Sequence, residues 1–140
     1  MSQEHDDKIA YLQMVESAIN RMSSISATFK GFAITVFAGV PAIVFSVGTS
    51  NRILVLVLSC IALLTIGGFD CWYLSMEKRY RNLYSGIVDG SHPVDFDMRC
   101  NKSIKTSWIQ AIKSKAITLF YLIFVCTDLF LILSCSQGWV

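Results

Sequence analysis

Three apolar runs, at residues 29–48, 53–74 and 116–134, decide what this chain can fold into. Each is long enough to cross a hydrocarbon core of about 30 Å, which takes about 20 helical residues. In lipid, every backbone amide and carbonyl must find a partner inside the protein, and a helix supplies those partners within one segment. Three helices fit a chain of 140 residues, and a closed barrel does not. Hydrophobic residues make up 54% and charged ones only 16%, with the apolar residues gathered in runs, so an ordinary water-soluble domain is excluded. The expected fold class is all-α: a polytopic membrane protein with three transmembrane helices plus amphipathic cytoplasmic helices, in one membrane domain over residues 1–140.

The second run organises the rest. It opens as Ile53-Leu54-Val55-Leu56-Val57-Leu58, passes Gly67-Gly68 and leaves the bilayer through Asp70-Cys71-Trp72-Tyr73-Leu74. A helical extension over residues 75–85 then carries it into water. Phe69, Trp72 and Tyr73 stand where aromatic rings mark the headgroup level. Three- and four-residue steps put Asp70, Tyr73 or Leu74, Glu77, Arg81 and Tyr84 on one face of the continuing helix. With Trp72 they form the expected membrane–cytoplasm interface. Glu77 and Arg81, four apart, support that helix by about 0.2–0.5 kcal/mol. Asp70 is expected to pair with a basic residue or accept a hydrogen bond there.

Charge sets the orientation. Of twelve Lys and Arg residues, only Arg52 falls between the first two spans. The positive-inside rule then puts the N-terminus and residues 75–115 in the cytoplasm, with residues 49–52 and 137–140 outside. No cleavable secretory signal is expected, because the chain opens on Glu4, Asp6, Asp7 and Lys8.

Residues 4–28 read as an amphipathic cytoplasmic helix, with Ile9, Leu12, Val15, Ile19, Met22 and Ile25 on one face. That face fits packing on the extension of the second span, or a short heptad-like seam between protomers. In the first span Gly31, Thr35 and Gly39 form a ridge of small residues suited to close helix packing. Pro41 removes one amide donor and is expected to bend the span, as a structural feature or as a gate. Gly48-Thr49-Ser50-Asn51 reads as a tight turn that makes the first two spans an antiparallel hairpin.

Residues 86–107 read as an irregular cytoplasmic loop, broken by Gly90, Pro93 and the aspartates 89, 95 and 97. His92 is expected there as a solvated side chain. Asp95-Phe96-Asp97-Met98 is either an extended strip that docks a partner or a polar loop with one buried Phe. Its carboxylates lack the ligand spacing of a calcium loop. Residues 102–115 alternate Ile104, Trp108, Ile109 and Ile112 with Lys105, Lys113 and Lys115, the pattern of a basic interfacial helix against anionic lipid. The same lysines also suit an anionic ligand or nucleotide.

The third span carries Asp128. A charge near a span centre costs about 2.5–3.5 kcal/mol on insertion scales, so it faces the bundle or a wet cavity. Thr118, Tyr121, Val125, Asp128, Ile132 and Cys135 follow one stripe. Asp128 either is hydrogen-bonded to Tyr or Thr across the bundle or lines a pore between protomers with Thr118 and Tyr121. No phosphate-binding glycine loop, paired-histidine motif or Gly-x-Ser-x-Gly is present, and the five cysteines include no CxxC. The expectation is a non-enzymatic protein with no cofactor, no metal and no nucleic-acid partner.

The string Tyr11-Leu12-Gln13-Met14-Val15-Glu16-Ser17-Ala18-Ile19-Asn20-Arg21-Met22, then Lys30-Gly31, resembles the opening of a group of small, uncharacterised bacterial membrane proteins. Their second half is similar to Phe69-Asp70-Cys71-Trp72-Tyr73-Leu74, Glu77, Tyr80-Arg81-Asn82-Leu83-Tyr84 and Asp95-Phe96-Asp97-Met98. The layout resembles the SLATT membrane effectors of bacterial conflict systems, which join a transmembrane hairpin to cytoplasmic helices. A third span with Asp128 departs from that hairpin. The resemblance implies an oligomeric bacterial inner-membrane protein, N-terminus cytoplasmic and C-terminus periplasmic. It would form pores or perturb the membrane in antiviral defence when a cytoplasmic sensor or nucleotide-signalling partner triggers it. The alternative is a non-enzymatic membrane anchor or adaptor that docks a cytoplasmic partner. Either kind has membrane lipid as its surroundings.

Overall fold

The computed structural model describes residues 2–99, 111 and 113–137. Among them every element is an α-helix: α1 (Ser2–Ser46), α2 (Thr49–Val88) and α3 (Lys115–Ser136). Each is long and apolar enough to cross a membrane, and the chain is a membrane protein with three candidate spans.

Helix α1 is one uninterrupted element where residues 4–28 and 29–48 were expected as two. Nothing at the junction breaks it. The Thr28 and Thr35 hydroxyls donate to the carbonyls one turn back, Ser24 and Gly31, at 3.0 Å each. A lone glycine at 31 costs only about 1 kcal/mol against alanine, too little to end so long a helix. The helix also runs through Pro41 to Ser46. The link to α2 is Val47-Gly48, slightly earlier than the turn expected at Gly48–Asn51; residues 49–51 already belong to α2. The Asn51 amide reaches the Gly48 carbonyl at 2.9 Å, which closes that first turn.

At 40 residues, α2 extends about 60 Å. It passes Gly86, where an irregular loop was expected to begin, and stops at Val88. Gly86 is used for close approach: the Ser91 hydroxyl and the His92 amide donate to its carbonyl at 3.2 and 3.0 Å. A Cβ at Gly86 would lie 3.4 Å from Ser91 Oγ. The chain turns at Gly90, whose φ of +74° suits a residue without a side chain. Lys8 of α1 donates to the Val88 carbonyl at 3.3 Å, a cation at the negative end of α2.

Three apolar layers hold the helices. At one end Val40, Val44 and Leu56 meet Leu131, Ile132 and Cys135. In the middle Ala33 and Leu63 meet Ile117 and Tyr121, with Phe37 and Phe124 packed on them. In the polar half Tyr11, Val15 and Ile19 meet Leu83 and Ile87, flanked by Leu12, Tyr80, Tyr84 and Met98. The N-terminal stretch therefore packs on the extension of α2. The buried face is turned slightly from the expected stripe: Ile9 is 42% exposed and Tyr11 fully buried. Tyr11 is drawn in because its hydroxyl reaches the Asp97 carbonyl at 2.7 Å. The basic helix expected at residues 102–115 falls largely outside the described residues. Of it, Ala111 is buried in the middle layer and Lys113 is exposed.

Candidate functional site: a buried charged junction of three helices

Asp70 is fully buried, and all three helices converge on it. From α1, Lys30 Nζ stands 2.8 Å from Oδ2 and 3.0 Å from Oδ1. Ser26, one helical turn earlier, donates its hydroxyl to Oδ1 and accepts from Lys30 Nζ at 2.8 Å. From α3, the Tyr121 hydroxyl donates to Oδ2 at 3.2 Å. Gly67, one turn before Asp70, makes room for that tyrosine: a Cβ there would sit 3.3 Å from the ring. The ion pair lies at the edge of the apolar span, and the Lys30 side chain keeps 28% of its surface outside, as a lysine does when its stem crosses apolar surface.

Ser26 and Lys30 have the spacing and contact of a nucleophile with its base. Their surroundings oppose that use. Lys30 is already paired with the Asp70 carboxylate, and the Ser26 hydroxyl donates into the same carboxylate. Ser26 is itself buried, so a substrate carbonyl has no open face to approach. The cluster joins the three helices through one ion pair and its hydrogen bonds. Among the described residues no group of His, Cys, Asp and Glu gathers as metal ligands.

Asp128 makes a second polar layer, deeper in the bundle. It is fully buried and accepts from Ser59 Oγ at 2.8 Å, with Cys60 Sγ at 3.7 Å. Its Oδ1 has no partner among the described residues. The expected Tyr or Thr partner is replaced by these α2 side chains. Tyr121 turns to Asp70 instead, and Thr118 lies on the exposed side of α3. The expected common face of Thr118, Tyr121 and Asp128 is thus split, because α3 presents to α2 the side that carries its two most polar buried groups.

Gly31, Thr35 and Gly39 lie on the outer side of α1, and a Cβ at either glycine would meet nothing within 4 Å. Within the chain, α1 packs instead through Ala33, Phe37, Val40 and Val44. At the end of the second span Phe29 stacks on Phe69 at 5.8 Å and leans on Tyr73 at 5.6 Å, with Trp72 exposed beside them. Glu77 is buried and takes Arg81 Nε at 2.8 Å; Arg81 is exposed, and Tyr84 packs in the polar-half layer.

The strip 95–98 is seated on its own chain. Tyr11 binds the Asp97 carbonyl, and the Phe96 ring lies 5.4 Å from the Tyr11 ring. Met98 is the residue tucked into the core, whereas Phe96 is 42% exposed and holds φ at +55°, an uncommon conformation for a bulky side chain. Asp97 bonds Arg99 Nε at 3.0 Å, and this holds the Asp97 carboxyl below its ordinary range. His92 is partly covered, with Nδ1 2.9 Å from the Pro93 carbonyl.

Sequence reasoning singled out Asp70, Tyr121 and Asp128 but missed Ser26, Lys30 and Ser59 as their partners. The available signal was a lysine at the very start of a span with a serine one turn before it, and a serine inside the run 53–74. No protein-family model, curated protein or solved structure matches this chain.

Proposed function

We propose that this chain is a non-enzymatic, oligomeric effector of a bacterial inner membrane, N-terminus cytoplasmic and C-terminus periplasmic. A cytoplasmic sensor or nucleotide-signalling partner engages its polar half, and the spans respond by letting ions pass. The observation that supports this most is the continuity of α1 and α2 across the Asp70 junction. Two unbroken helices carry any displacement of the polar half into the apolar half. Lys30, Asp70 and Tyr121 bind that displacement to α3 as well. In this reading the amphipathic stretch 4–28 and the segment 75–115 are the cytoplasmic receiver.

Three spans are too few to enclose an aqueous path, so protomers assemble, through the Gly31–Thr35–Gly39 ridge and α3. Asp128 is held on Ser59 at rest; a turn of α3 about its axis brings Asp128 towards a shared lumen beside Thr118. The test is the oligomeric state of the detergent-purified protein together with dye release from vesicles containing it. An oligomer that leaks supports the proposal, and a strictly monomeric protein contradicts it.

The second reading is a membrane anchor that docks a cytoplasmic partner. The seated strip 95–98, with Phe96 half-exposed at a positive φ, favours it. It predicts that deleting residues 86–107 loses the partner and leaves membrane permeability unchanged.

A further inference from the structure

On the exposed face of α2, Thr65, Gly68, Phe69, Trp72 and Tyr73 line a groove of about 430 Å³, within the range of about 300–1,000 Å³ usual for small-ligand sites. Their spacing of three and four residues makes one stripe along the helix. The floor is bare backbone at Gly68, where a Cβ would meet nothing within 4 Å. One wall is stiff, because Phe29 of α1 packs on both Phe69 and Tyr73. The polar atom at the apolar end is already used: the Thr65 hydroxyl donates to the Ile61 carbonyl at 2.8 Å and leaves its methyl to the groove. Trp72 stands seven positions after Thr65, a length of about 10 Å along the helix.

We propose that this groove binds one acyl chain of a membrane phospholipid. The groove lies in the last turns of the apolar run and ends beside Asp70, at the polar edge of the span. A chain laid from Thr65 to Trp72 therefore brings the glycerol end of its lipid to the level of Trp72 and Tyr73. Rings with an apolar body and a polar tip favour that level. Among the described residues the lining offers no charged side chain, which suits a hydrocarbon chain and not a polar metabolite. The proposal rests on the chain spanning a membrane and is independent of the effector reading.

The test is native mass spectrometry of the full chain, purified in a mild detergent from membranes and mixed vesicles of phosphatidylethanolamine and phosphatidylglycerol. Wild type is expected to keep one phospholipid per chain. Gly68→Leu, which fills the floor at a position with open space, is expected to keep at least tenfold less. Gly68→Ala should keep an intermediate amount, and Leu119→Ala on the exposed face of α3 the wild-type amount. Circular dichroism checks that each variant is equally helical. Equal retention by wild type and Gly68→Leu, or no retained lipid in wild type, would overturn the proposal.

Discussion

Lys30 and Asp70 set the energetics at the residue level. Removing one partner of a buried ion pair leaves an uncompensated charge, which costs about 3–5 kcal/mol, whereas removing both is far less harmful. Lys30→Met should therefore lower the thermal midpoint in detergent sharply, and Lys30→Met with Asp70→Leu should recover most of the loss. Equal loss in the single and double variants would mean that packing, and not charge, holds the junction. Gly67→Ala is the finer probe. Its methyl would press on the Tyr121 ring from 3.3 Å, in the manner of an overpacked core, at about 1–3 kcal/mol. Tyr121→Phe should spare the ring packing and lose only the bond to Asp70; a ring shift caused by Gly67→Ala should then matter less in the Tyr121→Phe background. Ser59→Ala removes the hydroxyl donor of Asp128 and leaves it the weaker Cys60 thiol, and the proposed function predicts more ion leakage from vesicles than with wild type.

The elements were readable from the sequence to very different degrees. The three spans were legible because an apolar run of 20 residues needs no knowledge of what it packs against. The two buried acids were legible for the same reason: Asp70 and Asp128 stand out in apolar runs. Their partners were not, since Ser26 and Lys30 lie 44 and 40 residues from Asp70, and Ser59 lies 69 from Asp128. Which residue meets which depends on the rotation of each helix about its axis, and a stripe of apolar residues fixes that only coarsely. The same uncertainty put Ile9 in the core in place of Tyr11. The loop was expected from residue 86, but α2 continues to Val88, and the positive φ that turns the chain falls at Gly90, one of the expected breakers. The loop beyond has a pH dependence of its own. Arg99 keeps the Asp97 carboxyl below its ordinary range, so the contact is complete above that range and is lost as pH falls through the depressed value. Arg99→Gln should move the Asp97 midpoint, read by carboxyl NMR, upward towards that of a free aspartate; an unchanged midpoint would remove the contact as its cause.

At the level of the whole molecule, the fold is two long antiparallel helices with a third, shorter one laid on α2. Polar layers at Asp70 and Asp128 alternate with apolar layers along the bundle. Leu63 on α2 and Phe124 on α3, both of the apolar middle layer, stand between the two polar layers. In the proposed function, conduction would come from several chains and from a change in how α3 sits on α2. The Asp128–Ser59 bond is what α3 would give up in that change. The most direct test is membrane potential in a bacterial host, read with a potential-sensitive dye after induced expression. Wild type, Asp128→Asn and Ser59→Ala are compared at matched membrane levels. The account predicts depolarisation by wild type, stronger depolarisation by Ser59→Ala and loss or alteration with Asp128→Asn. A potential that holds in all three strains, Ser59→Ala included, would contradict it and leave the anchor reading in its place.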